Sequence, residues 1–383
     1  MSYHCECEQC KNKEFNPEDY IIKEEDFKVL DKERPLGISG HLRVKDEAMS
    51  IAECIDSCID ALDELIITYN KSTDDTEEIL KDYEKKYPDK IRLYYYAPNI
   101  IGYNENEYKT KYSEIHYFYH YSNFGYLKIK YRYYIKIDAD QIYFTEKLLD
   151  IREALLSDIN ASETINKLLT IDKISWYIPI KKLRNNFRTY YIKKLFNIKD
   201  KYYNFNCPEY FLSLKDFIIY SKMKYTDNFY LLISGFELGL NNDSLCLNTS
   251  FVYNGATGDH FIFVPTQNYT YYLNSVGLES IHLPHNCSVL GLSWVHLGLI
   301  KRSINIDSEI KFMDIHKMNN EDILKYIENN LEKKEYQTLL SDLTIKYFDN
   351  DKQYLNKEFY DKYLKKTLEY VIKNRDQFIK RLW

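Results

Sequence analysis

Glycine and proline are scarce in this chain, 11 and 8 of 383 residues, which excludes collagen-like, linker-like and low-complexity segments. Apolar runs of membrane-spanning length are missing as well. The nearest candidate, around residues 281–300, is interrupted by His282, Pro284, His285, Asn286 and His296. No apolar export segment opens the sequence, so a cytoplasmic location is expected. Positive charge is not in excess: 52 Lys and Arg stand against 58 Asp and Glu, a net charge of −6, and no global basic field points to nucleic acid. Eight cysteines without an export signal favour reduced thiols over a disulfide framework. What is abundant is tyrosine, 39 copies, read chiefly as compositional bias, with some rings suited to stacking on sugars.

The first 35 residues are polar and place His4, Cys5, Cys7 and Cys10 close together. Such a cluster suits zinc, but a complete site usually draws on a second ligand pair, so a frayed arm with uncommitted thiols is the default expectation. Residues 39–44 read as a strand, and Ile51, Ile55, Cys58, Ile59 and Leu62 then repeat at helical spacing. Residues 63–70 form a second strand. Ser72, Thr73 and Asp74 offer N-cap chemistry for a helix that stops near Pro88. Strands at 91–96 and 133–137 follow, separated by a Tyr-rich helical stretch over 107–125. This alternation predicts an α/β fold with a parallel sheet and crossover helices.

Beyond residue 150 helical segments (144–157, 210–222) mix with strand-like ones, among them ISWYIPI (174–180), SFVY (250–253), HFIFVP (260–265) and YTYYL (269–273). From about residue 305 the pattern is helical and charged. Its last stretch sets Leu364, Leu368, Val371, Phe378 and Leu382 on one face, which suits packing on the protein itself or peripheral contact with an anionic membrane. The expected division is an arm (1–35), a nucleotide-binding half (36–150), an acceptor-binding half (151–304) and a helical extension (305–383).

Two motifs fall at carboxyl ends of predicted strands, where open α/β sheets bind ligands: YNKSTDDT (69–76) and Asp138-Ala139-Asp140. Paired aspartates there suit a divalent cation bridging two phosphates, one reaching the metal and the other the ribose or a metal-bound water. The pattern alone is weak, since Asp349-Asn350-Asp351 repeats it in the tail. Context separates the two.

Residues 43–80, RVKDEAMSIAECIDSCIDALDELIITYNKSTDDTEEIL, together with IKIDAD resemble the opening of the inverting GT-A glycosyltransferases. More narrowly, the RVK-x-EA start, Ala256–Asp259 and His296–Lys301 resemble bacterial β-1,4-N-acetylgalactosaminyltransferases of lipooligosaccharide and surface-glycan synthesis. The resemblance implies a GT-A, Rossmann-like, mainly parallel sheet flanked by helices, here with a helical C-terminal extension. It further implies a UDP-sugar donor, a glycan or glycolipid acceptor, and Mn²⁺ or Mg²⁺. Arg43, Glu47, Asn70, Asp138 and Lys301 would meet the sugar nucleotide, Lys301 with Arg302 bracing the phosphates; Asp138, Asp140 and His296 would meet the metal. Asn70 stands where the wider family often has Asp, yet an amide still pairs with a pyrimidine edge. His282 and His285 compete with His296.

Inverting transfer needs a carboxylate base. Asp259 is the choice, flanked by Gly255 and Gly258, with Glu237 and Asp243 as alternates. Two rivals remain. A nucleotidyltransferase or phosphotransferase also uses strand-end aspartates, but usually shows a Gly-rich phosphate loop, which SGHLRVKDE is not. The other rival is a non-catalytic glycan-binding protein with a relic nucleotide site.

Overall fold

The computed structural model describes residues 5–100, 112–158, 161–197, 212–241, 244–248, 260–274, 279–298, 312–314 and 360–374. Four parallel strands form one half of the main sheet: β1 (Ile38–Val44), β2 (Glu64–Tyr69), β3 (Ile91–Tyr95) and β4 (Tyr133–Asp138), in the order β3-β2-β1-β4. All six residues of β2 are buried, as expected of a strand covered on both faces. After the short α1 (Glu8–Lys11) of the arm, helix α2 (Ile51–Cys58) buries Ile51, Cys54, Ile55 and Cys58, the helical spacing read from the sequence. Helix α3 (Thr76–Lys86) makes the next crossover. The chain winds outward from β1 to β3 and then returns to pair β4 with the opposite edge of β1. That reversal opens a crevice at the carboxyl ends of β1 and β4.

The sheet continues without a break. β8 (Phe261–Phe263) lies antiparallel between β4 and β6 (Phe229–Asn241), and β6 runs parallel to β11 (Asn286–His296). β5 (Gln141–Tyr143) pairs antiparallel with β11, while β7 (Ser244–Asn248) and β12 (Phe312–Asp314) complete the far edge. The long pairings are the parallel ones, and helices flank them, which is the α/β architecture expected. A separate hairpin joins β9 (Tyr271–Leu273) to β10 (Glu279–Ile281).

Helices α4 (Phe118–Tyr126), α5 (Thr145–Leu156), α6 (Glu163–Trp176), α7 (Lys181–Leu195) and α8 (Leu214–Tyr225) supply the covering layers. Asp172 of α6 receives Arg188 of α7 and Lys224 of α8, each at 2.7 Å, and so ties three helices together. ISWYIPI is not a strand. Ser162 caps α6 by accepting from Ile165 N, and Ile165, Leu168, Asp172 and Ser175 are its buried positions, a helical period that runs into this segment. Its apolar residues Ile174, Trp176, Tyr177 and Ile180 are exposed.

Two further expectations change. The segment after residue 305 is not wholly helical, because Phe312–Asp314 pairs with β7. The arm is not frayed: Leu30 packs with Tyr126, Tyr134, Phe261, Phe263 and Tyr271, and Arg34 Nη2 donates to Pro265 O at 2.6 Å. Near the other end, a π-helical turn (Tyr360–Leu364) leads into α9 (Lys365–Lys373). Leu364, Leu368 and Val371 are fully buried, and Lys362 and Tyr363 bond Asp150 of α5. Those three positions of the face are covered by protein. Phe378, Leu382, SFVY and Asp349–Asp351 lie outside the described residues. Among the described residues no helix is long and apolar enough to cross a membrane.

Candidate active site

The loops leaving β1 and β2 are tied to each other. Asp46, with a left-handed φ of 54°, accepts from Thr73 N at 2.7 Å, and its own N–H donates to Ser72 Oγ at 3.1 Å. Glu47 N donates to Thr76 Oγ1 at 2.8 Å, and Ala48 N to Asp74 Oδ2 at 3.0 Å. Asp74 also accepts from Thr76 N at 3.1 Å. Partial burial raises the Asp74 carboxyl, but the bonds from Thr76 and Ala48 outweigh it and hold the group below its ordinary value. The Ser-Thr-Asp run thus latches two loops, rather than simply capping the helix as the sequence suggested. The N-cap of α3 is Asp75, whose side chain makes no capping bond.

Asn70 ends β2 buried, its amide N–H groups donating to Tyr96 O at 2.8 Å and Pro98 O at 3.1 Å. It fixes the segment leaving β3. Glu47 sits on the β1 loop, where its carboxylate accepts from Ser50 Oγ at 3.4 Å.

Arg43 and Asp138 are register partners across β1 and β4, at the mouth of the crevice. The Arg43 guanidinium grips Glu279 of β10 at 2.6 Å, donates to Ser122 Oγ at 2.5 Å, and lies 3.6 Å from Asp138. It also stacks over Phe118 at 4.5 Å. Asp138 Oδ2 meets Lys136 Nζ at 3.3 Å and His260 Nε2 at 2.9 Å. Burial alone would raise the Asp138 carboxyl, but Lys136, His260 and Arg43 together hold it well below the usual carboxylate range. These three supporting side chains are 4–7 % exposed, against 26 % for Asp138. Arg43, Lys136 and His260 stand behind the carboxylate, which is the more exposed group.

Asp140 follows in the turn between β4 and β5. Its Oδ1 lies 3.1 Å from His296 Nε2, and its carbonyl accepts from Leu297 N at 2.7 Å. His296 ends β11, next to β5 and in register with Glu237 on β6. The structure therefore brings Asp138, Asp140, His296 and Arg43 to one sheet edge. His282 instead stacks on Tyr272 in the β9–β10 hairpin with ring centroids 4.0 Å apart, and His285 is exposed. Asp243, Asp259, Lys301 and Arg302 lie outside the described residues, as does the side chain of Glu237.

Asp140 and His296 are a fitting pair for a divalent ion, one oxygen and one nitrogen donor at close range and both partly exposed. Asp138 is turned toward Lys136 and His260 and does not complete a three-ligand cluster with them. Sequence reading missed Lys136, His260 and Glu279. His260 adjoins Asp259 and Lys136 lies two residues before Asp138, but only the fold shows that both aim at Asp138.

Residues 18–154 match the family model of the β-1,4-N-acetylgalactosaminyltransferase CgtA. No curated protein matches the chain significantly. Among solved structures, Staphylococcus aureus TarS (residues 1–349) overlaps 90% of this chain and 78% of its own, at 11% identity and a TM-score of 0.33. Glucosyl-3-phosphoglycerate synthase from Mycobacterium tuberculosis, solved with Mn²⁺, UDP-glucose and phosphoglyceric acid, overlaps 40% of this chain and 54% of its own, at 16% identity and a TM-score of 0.23. Both overlaps are loose. Over residues 18–154 the chain is similar to the CgtA transferases, and its enzyme class is glycosyltransferase.

Proposed function

We propose that the protein moves a hexose or N-acetylhexosamine, with N-acetylgalactosamine favoured, from a UDP-sugar onto a surface-glycan acceptor such as lipooligosaccharide or capsule. The observation that carries this reading is the Asp138–Asp140 turn at the β1/β4 crevice, backed by Arg43 and met by His296. The preference for N-acetylgalactosamine rests on the family matched by residues 18–154.

Asp138, held ionised, is an acceptor for ribose hydroxyls. Asp140 and His296 would hold Mn²⁺ or Mg²⁺, ions that take few protein donors and complete their shell with phosphate and water. Such an ion supplies charge stabilisation to the departing diphosphate. Asn70 and Glu47 line the nucleoside end, and Lys301 braces the phosphates. In the transfer, the acceptor hydroxyl forms a bond to the anomeric carbon as the carbon–phosphate oxygen bond breaks and its electron pair leaves with UDP. The hydroxyl proton passes to a carboxylate. Asp259 is the base proposed, next in sequence to His260 at the Asp138 carboxylate; Glu237, in register with His296, and Asp243 are alternates.

The test is a donor screen over UDP-GalNAc, UDP-Gal, UDP-GlcNAc, UDP-Glc and other nucleotide sugars, with and without Mn²⁺. Release of UDP that requires the ion is the expected result. Pyrophosphate release would point to nucleotidyl transfer. Absence of any donor-dependent rise in melting temperature would point to a relic site.

A further inference from the structure

Three cysteines of the arm converge on a histidine from the far side of the nucleotide-binding half. Cys7 Sγ and Cys10 Sγ each lie 3.3 Å from His116 Nε2, across 109 and 106 residues of sequence. With Cys5, these residues offer four ligand atoms, all within 4.8 Å of one another. Among the described residues this is the one group of three or more His, Cys, Asp or Glu gathered closely enough to hold an ion. None of the three cysteines is in a disulfide.

The surroundings are those of a ligand set rather than of a chance cluster. His116 is fully buried, and its Nδ1 donates to Asn99 O at 2.7 Å, which leaves the Nε2 lone pair directed at the sulfurs. One imidazole lone pair can accept from only one thiol at a time, whereas a metal ion satisfies the nitrogen and all three sulfurs together. The Cys10 N–H donates to Cys7 Sγ at 3.3 Å, the contact a thiolate attracts. Tetrahedral zinc, with bonds of about 2.3 Å to sulfur and about 2.0 Å to nitrogen, sets its ligand atoms roughly 3.5 Å apart, close to the spacing here. Three soft sulfurs and an imidazole select zinc over the hard ions that suit a diphosphate. Four protein ligands close the coordination sphere, so the ion would be structural.

We propose that Cys5, Cys7, Cys10 and His116 bind a structural zinc ion that staples the arm to the turn before α4, where His116 also holds Asn99 O of the segment leaving β3. Between the second and third cysteines, Gln9 donates to Ala97 O at 3.2 Å and accepts from Asn99 N at 2.7 Å. The same segment is held from its other side by Asn70, through Tyr96 O and Pro98 O. The zinc knuckle therefore braces the end of the crevice where Asn70 sits.

The test is elemental analysis of the full-length protein, purified without added metal and exchanged into a buffer containing EDTA. One tightly held zinc per chain is expected, released as three thiols are titrated with an organomercurial. Cobalt substitution should give thiolate charge-transfer and tetrahedral d–d bands. Cys7→Ser and His116→Ala should lose the zinc, while His116→Cys, which restores a fourth ligand, should keep it; that pair separates loss of a ligand from failure to fold. Wild-type protein that holds neither zinc nor added cobalt, iron found in place of zinc, or undiminished zinc in Cys7→Ser would each overturn the proposal. None of these readouts depends on glycosyl transfer.

Discussion

Arg43 faces Asp138 across β1 and β4 at 3.6 Å, yet it holds Glu279 on the β9–β10 hairpin more closely, at 2.6 Å. The guanidinium thereby joins the parallel half of the sheet to a hairpin more than two hundred residues later. Glu279 and Asp138 both push its pKa up against the opposing effect of burial, so it stays charged under all working conditions.

Removing that charge should be costly. Arg43→Met leaves Glu279 and Asp138 without their common partner, and a loss of about 3–5 kcal/mol is expected from breaking a buried pair. Arg43→Met combined with Glu279→Leu should recover part of it. Urea denaturation of the two variants beside the wild type measures both values.

Asp140 and His296 carry a different signature. Their pair is partly exposed, so Asp140→Ala should change stability by no more than about 1 kcal/mol. Turnover should be abolished. His296→Ala, which removes one of the two proposed ligands, should retain some activity but need at least roughly 10- to 100-fold more Mn²⁺, the cost of losing even an outer-shell partner of a metal site. UDP release measured across a Mn²⁺ titration distinguishes the two outcomes.

Glycine positions around Trp294 and His296 give a steric test. A Cβ on Gly298 would come within 2.6 Å of the His296 ring, and one on Gly235 within 1.9 Å of the Trp294 indole. Trp294 is fully buried and has nowhere to retreat, so Gly235→Ala should lose about 1–3 kcal/mol through overpacking. His296 is partly exposed and can swing away. Gly298→Ala should therefore depress kcat at fixed Mn²⁺ with little change in melting temperature.

Acid should weaken the fold in two stages. His41 is fully buried between Tyr134 and Thr68, and burial, reinforced by Arg43 and Lys136, holds its pKa well below the usual value. The unfolded chain then takes up the proton first, so the contribution is whole above about pH 6.5 and shrinks as pH falls, by up to about 1.4 kcal/mol per unit. Asp138 also has a lowered pKa, so its contribution is whole above about pH 4 and lost below that. Urea midpoints at pH 7.5, 6.5 and 5.5 should fall for the wild type, and fall less for His41→Asn.

The alternating half of the fold was legible because β1, β2 and β4 are almost wholly buried strands and α2 shows a clean helical period. The Asp138–Asp140 turn was legible for a related reason: it sits where such a strand ends. Legibility failed where partners are remote. Nothing in the sequence links Cys7 to His116, or Arg43 to Glu279, because those contacts depend on how α4 and the β9–β10 hairpin fold back. ISWYIPI failed differently. Its β-branched and aromatic residues imitate a strand, while the buried period that decides the matter begins upstream at Ile165.

The bonds from Asp46, Glu47 and Ala48 to Ser72, Thr73, Asp74 and Thr76 have a consequence for ligand thermodynamics. Two loops that would otherwise lose conformational freedom when a nucleotide arrives have already lost it during folding. Donor capture at this edge should thus proceed with little ordering entropy, and cutting one of those threads should show itself as a weaker, more entropically opposed association rather than as a slower chemical step.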